Sequence, residues 1–217
     1  MEKLLAILTY PDDLLRAGTF NPHRTTLTLR IPLLLGLIIL FGFAYGAAMG
    51  TYAEGTPPRA WQMLFSGIKV PLLLLATFAL SLPSFFVLNS LLGLRADFAY
   101  AVRALLATQA GLTMVLASMA PFTLLWYLSV KNYDSAVLFN TFIFGFASVT
   151  GHFFCRRIYR PLITRDRRHR ILLRLWLIIY AFIGIQMGWL LRPFIGSPDV
   201  PTHFLRPDSG FPEADDA

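Results

Sequence analysis

Residues 31–50 read IPLLLGLIILFGFAYGAAMG, a run without Asp, Glu, Lys or Arg. An α-helix needs about 20 apolar residues to cross the hydrocarbon core of a bilayer. Inside lipid only helices and closed barrels satisfy their own backbone hydrogen bonds, and this run lacks the two-residue alternation of a barrel strand. Residues 31–50 therefore predict a transmembrane helix.

Four more uncharged apolar runs follow along the chain, at residues 70–93, 104–130, 135–155 and 175–191. The 217-residue chain is 56% hydrophobic and 14% charged. A soluble domain of this size would carry about a quarter charged residues. We therefore expect an all-α polytopic membrane protein, a bundle of five transmembrane helices that fills residues 31–196.

The positions of Lys and Arg predict the direction of the helices, because cytoplasmic connections hold an excess of these residues. A five-span chain puts fourteen of its 19 Lys and Arg on one side. These fourteen are Lys3, Arg16, Arg24, Arg30, Arg95, Arg103, Arg156, Arg157, Arg160, Arg165, Arg167, Arg168, Arg170 and Arg174. This distribution predicts a cytoplasmic N-terminus, a C-terminus outside, and a bacterial cytoplasmic (inner) membrane as the location.

The two ends of the chain differ in character. Residues 1–30 predict a cytoplasmic segment in which LLAIL at 4–8 either forms a short interfacial helix or belongs to a frayed terminus. Residues 197–217 predict an acidic tail outside the membrane. At the end of the last span, we expect Arg192 to pair with Glu54, Asp134 or a carbonyl group, or to anchor in the headgroups.

Glycines recur at every fourth position in two of the predicted spans. Gly42, Gly46 and Gly50 share one face of the first span, and Gly184 and Gly188 share a face of the fifth. Small residues at this spacing let membrane helices approach closely. The pattern predicts helix-packing interfaces, either within the bundle or between subunits.

Four uncharged polar residues lie inside the predicted spans: Asn89, Gln109, Asn140 and Gln186. Such side chains usually form hydrogen bonds between helices. The alternative is that the four line a narrow polar path through the bundle.

Seven arginines follow the fourth span: Arg156, Arg157, Arg160, Arg165, Arg167, Arg168 and Arg170. We expect this predicted loop to bind the anionic headgroups of membrane lipids or an acidic partner. The net charge of +7 would also suit a nucleic-acid-binding protein. The positive charges, however, lie in short segments between apolar runs, so no nucleic-acid partner is predicted.

Catalytic and metal-binding motifs are not recognisable in the sequence. The single cysteine, Cys155, excludes a CxxC site. Together with His152 it would supply only two of the three or four protein ligands that zinc needs. Coupled transport usually needs ionisable groups within the spans, and His152 is the only such group in these runs. We predict no cofactor, no metal and no enzymatic activity.

Several stretches resemble poorly characterised bacterial relatives of the Yip1-like membrane proteins: KVP at 69–71, LPS at 82–84, AP at 120–121 and QMGWLLRPFIG at 186–196. The resemblance implies the same five-span topology and a role in membrane organisation and partner recruitment. We expect a non-enzymatic membrane scaffold or accessory subunit that packs with other membrane proteins or with its own copies. The alternative is a small channel or uncoupled transporter.

Overall fold

A computed structural model of the chain describes residues 31–52, 59–130, 132–192, 194–195 and 204. This part of the chain contains helices and turns and no strand. The segment predicted at 1–30 lies outside the described residues, as does the tail at 197–217 apart from Phe204.

Five long helices make up the described fold. They are α1 (Ile31–Met49), α2 (Arg59–Leu91), α3 (Phe98–Ser129), α4 (Tyr133–Arg165) and α5 (Arg168–Leu190), with short 3-10 helices at Gly50–Tyr52 and Arg95–Asp97. All five are long and apolar enough to cross a membrane. The prediction of an all-α protein with five helices of spanning length is confirmed, and these helices suggest an integral membrane protein.

Two of the helices extend well beyond the apolar runs that revealed them. The second run begins at Val70, but α2 begins at Arg59, so Lys69 is buried inside a helix and does not lie in an outer loop. The fourth run ends at Cys155, but α4 continues to Arg165. Most of the predicted arginine loop is therefore helical, because backbone hydrogen bonding continues where hydrophobicity stops.

The helices lie in the order α5, α2, α1, α3, α4, so that sequence neighbours are not always spatial neighbours. α1 occupies the centre and packs against both α2 and α3, while α5 packs mainly on α2 and α4 on α3. α4 and α5 are consecutive in sequence, yet they contact each other only sparsely. They are the two ends of this row, which curls so that α5 also meets α3 through the Gln109–Tyr180 hydrogen bond.

The glycine face of α1 lies against α2. A Cβ atom at Gly46 would overlap the carbonyl oxygen of Ser66, and one at Gly50 would lie 2.6 Å from Met63 Cα. A Cβ atom at Gly42 would lie 3.3 Å from Pro71. The packing is therefore internal, which excludes the alternative that this face contacts another subunit.

The two glycines of α5 are in different surroundings. A Cβ atom at Gly184 would lie 3.5 Å from the Thr77 methyl group of α2, an ordinary contact. Nothing lies within 4 Å of the corresponding atom at Gly188. Only Gly184 therefore packs inside the fold.

We predict that Gly46→Ala destabilises the protein by about 1–3 kcal/mol, because the added methyl group meets backbone and not a movable side chain. Gly36→Ala is the matched control, since nothing lies within 4 Å of a Cβ atom there. Unfolding in detergent can be followed by maleimide-dye labelling of Cys155, which is buried. Equal melting temperatures for the two variants would contradict the α1–α2 contact.

Candidate functional site

The most highly charged part of the structure is the helical hairpin formed by the end of α4 and the start of α5. Asp166 and Arg167 connect the two helices. The first N–H groups of a helix have no partner within it, and here Asp166 Oδ1 accepts from the Arg168 N–H group at 2.8 Å. All seven arginines singled out from the sequence are exposed on this hairpin.

Asp97 ties this hairpin to the connection between α2 and α3. Arg165 Nη1 donates to Asp97 Oδ1 at 2.8 Å, and His169 Nε2 lies 3.3 Å from Asp97 Oδ2. On its other side, His169 Nδ1 lies 3.4 Å from the hydroxyl oxygen of Tyr159. His169 is fully buried and the Asp97 side chain is 16% exposed, so this network closes one end of the fold.

Arg168 adds a second link between the same two connections. Its Nη1 atom donates to the Leu92 carbonyl at 3.3 Å. Two of the seven arginines thus hold the fold together. The other five form what we call the basic surface: Arg156, Arg157, Arg160, Arg167 and Arg170. Exposed guanidinium groups are suited to bidentate contacts with phosphate oxygens.

Sequence reasoning missed Asp97, His169 and Tyr159 as a group. The sequence could have pointed to Asp97, because it is the only acidic residue between Glu54 and Asp134. His169 gave no such signal, because it looks like one more polar residue in an arginine-rich stretch.

Asn140 is a hydrogen-bonded link between three helices at the opposite end of the fold. Its Oδ1 atom accepts from the Tyr45 hydroxyl of α1 at 3.1 Å, and its Nδ2 donates to the Tyr127 hydroxyl of α3 at 2.5 Å. Nδ2 also donates to the Ala136 carbonyl at 2.7 Å. All of these partners belong to the protein, so Asn140 connects helices rather than lining a path.

Gln109 connects α3 to α5, because its Nε2 atom donates to the Tyr180 hydroxyl at 2.5 Å. Asn89 is buried near the end of α2, and neither of its side-chain amide atoms has a partner in the described part of the chain. Gln186 is exposed on α5. The structure therefore does not bring the four residues together, and the predicted polar path through Asn89, Gln109, Asn140 and Gln186 is not formed.

A second group of buried polar atoms lies where α2, α3 and α5 meet. The centre of the Trp176 ring lies 4.9 Å from that of the Tyr180 ring, with the two planes tilted by 37°, and Thr77 lies beside Gly184 one turn further along α5. Gln109 Oε1, Trp176 Nε1 and Thr77 Oγ1 are buried without partners among the described residues. Trp176 Nε1 is an N–H donor, Gln109 Oε1 is an acceptor and the Thr77 hydroxyl is both, so a water molecule or a hydroxyl group can satisfy them.

The Arg192 side chain interacts with the helix that precedes it. Its guanidinium carbon lies 3.1 Å from the centre of the Trp189 ring, and its Nε atom donates to the Trp189 carbonyl at 3.3 Å. Of the acceptors considered from the sequence, a carbonyl is the one in contact, and Glu54 lies outside the described residues. Among the described residues, no three His, Cys, Asp or Glu side chains are grouped to hold a metal ion.

Comparison of the chain with known protein families, curated proteins and solved structures finds no match. The resemblance to Yip1-like proteins therefore stays a prediction.

We predict that Asp97→Asn costs about 1.5–3 kcal/mol of stability, because Asp97 accepts contacts from two side chains and one of them, His169, is buried. Arg165→Gln is the matched comparison. Its side chain is 71% exposed, and exposed ion pairs contribute only about 0–1 kcal/mol. Thermal unfolding in detergent measures both variants. If both variants lose the same amount of stability, the contact between His169 and Asp97 does not contribute to folding.

Proposed function

We propose that this protein is a non-enzymatic integral membrane scaffold or accessory subunit that packs with other membrane-embedded chains. The observation that supports this most is the position of α5. One of its faces packs on α2, and its opposite face carries exposed Ile178, Phe182 and Ile185. A long apolar helix whose outer face meets no other helix of the described fold has that face available for another helix.

The buried polar groups support the same proposal. Asn140, Gln109 and Asp97 each connect helices or connections of the same chain. These contacts hold the row of helices together from within. In lipid, such hydrogen bonds contribute on the order of 1 kcal/mol each to helix association. These polar side chains therefore stabilise the fold.

We also propose that the basic surface lies at the cytoplasmic leaflet and binds anionic headgroups. The arginines of the α4–α5 hairpin and Arg95 at the α2–α3 connection share one end of the fold. An excess of Arg at one end of a row of spanning helices is typical of the cytoplasmic side. Each basic residue near an anionic surface contributes about 1 kcal/mol of attraction.

The positions of the polar residues favour a scaffold over a small channel or uncoupled transporter. A channel requires the four polar residues to line one path, but Gln186 is exposed and Asn140 is bonded at the end of the fold opposite Asp97. No other observation favours it.

Native mass measurement after extraction in mild detergent tests the proposed function. We expect assemblies heavier than the 24.4 kDa monomer, with anionic phospholipid retained in preference to phosphatidylcholine. A lipid-free monomer without a co-purifying partner would contradict the proposal.

We predict that the two ends of α4 lie on opposite sides of the membrane. In a Cys155→Ala background, Asp134→Cys should react with a membrane-impermeant maleimide in intact spheroplasts. Thr164→Cys, at the basic end, should react only after the membrane is opened. Both positions are exposed in the structure, so each serves as the control for the other. The reverse labelling pattern would show that the orientation is wrong.

A further inference from the structure

Buried side-chain atoms without a hydrogen-bond partner are unevenly distributed over the described part of the chain. They lie on α2, α3 and α5: Thr77 Oγ1, both amide atoms of Asn89, Gln109 Oε1 and Trp176 Nε1. By contrast, both amide atoms of the buried Asn140 on α4 are bonded to other residues. Since buried polar atoms are normally paired, the contact of α5 with α2 and α3 leaves hydrogen-bonding capacity unused.

Three of these side chains, those of Thr77, Gln109 and Trp176, lie around Tyr180 and are at most 5% exposed. We call this group the Tyr180 site. Aromatic rings of α2 form one of its walls, because the centre of the Trp176 ring lies 6.2 Å from that of Phe78 and 5.7 Å from that of Phe85. Apolar walls with a few polar groups are typical of sites for small molecules.

The Tyr180 site is far from both ends of the helices that form it. Tyr180 lies near the middle of α5, and Thr77 lies near the middle of α2. A molecule that reaches this depth from the bilayer has to be apolar over most of its length. A hydroxyl group on such a molecule both donates and accepts, which matches an unpaired acceptor on Gln109 and an unpaired donor on Trp176.

α5 is held firmly only in its first half, at the basic end. Its buried residues run from His169 to Trp176, and none follows within the helix. Further along, a Cβ atom at Gly184 would make one ordinary contact, with the Thr77 methyl group, and one at Gly188 would meet nothing within 4 Å. The second half of α5 can therefore move away from α2 while the basic end stays bound, which opens the Tyr180 site to lipid.

We propose that the Tyr180 site binds the hydroxyl group of an apolar molecule dissolved in the membrane. The hydroxyl oxygen accepts from Trp176 Nε1, the hydroxyl hydrogen is donated to Gln109 Oε1, and the Thr77 hydroxyl is a further partner. The hydrocarbon part lies between α5 and the aromatic rings of α2. Binding supplies partners that these buried atoms lack among the described residues, and this gain stabilises the open arrangement of α5.

Tryptophan fluorescence tests the site with Trp176 as the reporter, in a protein whose Trp61, Trp126 and Trp189 are replaced by Phe. The probes are dibromo-octadecanol, whose bromine atoms quench tryptophan, and dibromo-octadecane, which lacks the hydroxyl group. In lipid vesicles the alcohol should quench Trp176 saturably, at a roughly tenfold lower mole fraction than the alkane.

The control protein keeps Trp189 and has Phe at the other three tryptophan positions. Trp189 is 66% exposed, so both probes should quench it equally by collision in the bilayer. Equal quenching of Trp176 by the two probes is the result expected when a water molecule occupies the site, and it would overturn the proposal.

Thr77→Val tests the polar contact, because it removes an unpaired hydroxyl group and keeps the shape of the side chain. Binding of the alcohol should weaken roughly 3- to 30-fold, the effect of losing one hydrogen bond within the membrane. The melting temperature of the alcohol-free protein should not fall, since the lost hydroxyl has no partner among the described residues. Thr141→Val on α4 is the matched control and should leave alcohol binding unchanged. Equal alcohol binding by the Thr77→Val and wild-type proteins would overturn the site.

Discussion

The close approach of α1 to α2 at Gly46 is the contact on which the rest of the structure depends. Helices in lipid gain no hydrophobic energy from meeting each other, so their association depends on close backbone packing and hydrogen bonds. At Gly46 the two backbones are so close that a methyl group would overlap the Ser66 carbonyl oxygen. α2 covers the glycine face of α1, and another face of α1 packs on α3. α5 then packs on α2, and α4 packs on α3.

Hydrogen bonds at the two ends of the fold then decide how the outer helices are held. Asn140 links α4 to α1 and α3 at one end, and Asp97 links the α4–α5 hairpin to the α2–α3 connection at the other. α5 is linked to α3 through Gln109 and Tyr180 and packs on α2 through Trp176. Because α4 and α5 make few contacts with each other, α5 keeps one face outside the row.

The sequence predicted the features that depend on composition and local spacing, and it did so because lipid imposes a length and an apolar character on each helix. The five helices and the glycine face of α1 belong to this class. The helix ends do not, since α2 and α4 continue through charged residues such as Lys69 and Arg156. A scan for apolar runs stops at those charges, whereas the backbone hydrogen bonds continue.

The contacts between residues that are distant in the chain could not be predicted from the sequence either. Asp97 and His169 come together only because the row brings two connections to the same end. Gln109 and Gln186 are the same residue type inside predicted spans, yet one is buried and bonded and the other is exposed. Their roles depend on which face of a helix meets a neighbour, and that depends on the order of the helices.

Distance measurements between spin labels test the arrangement of the outer helices most directly, with label pairs at both ends of α4 and α5 in a Cys155→Ala background. One pair is placed at exposed Arg160 and Arg170, at the basic end, and the other at exposed Val137 and Leu190, at the opposite end. The structure predicts that the second distance exceeds the first by roughly a helix diameter, about 10 Å. Similar short distances at both ends would mean that α4 and α5 pack along their whole length, which would contradict the observed order of the helices and the free face of α5.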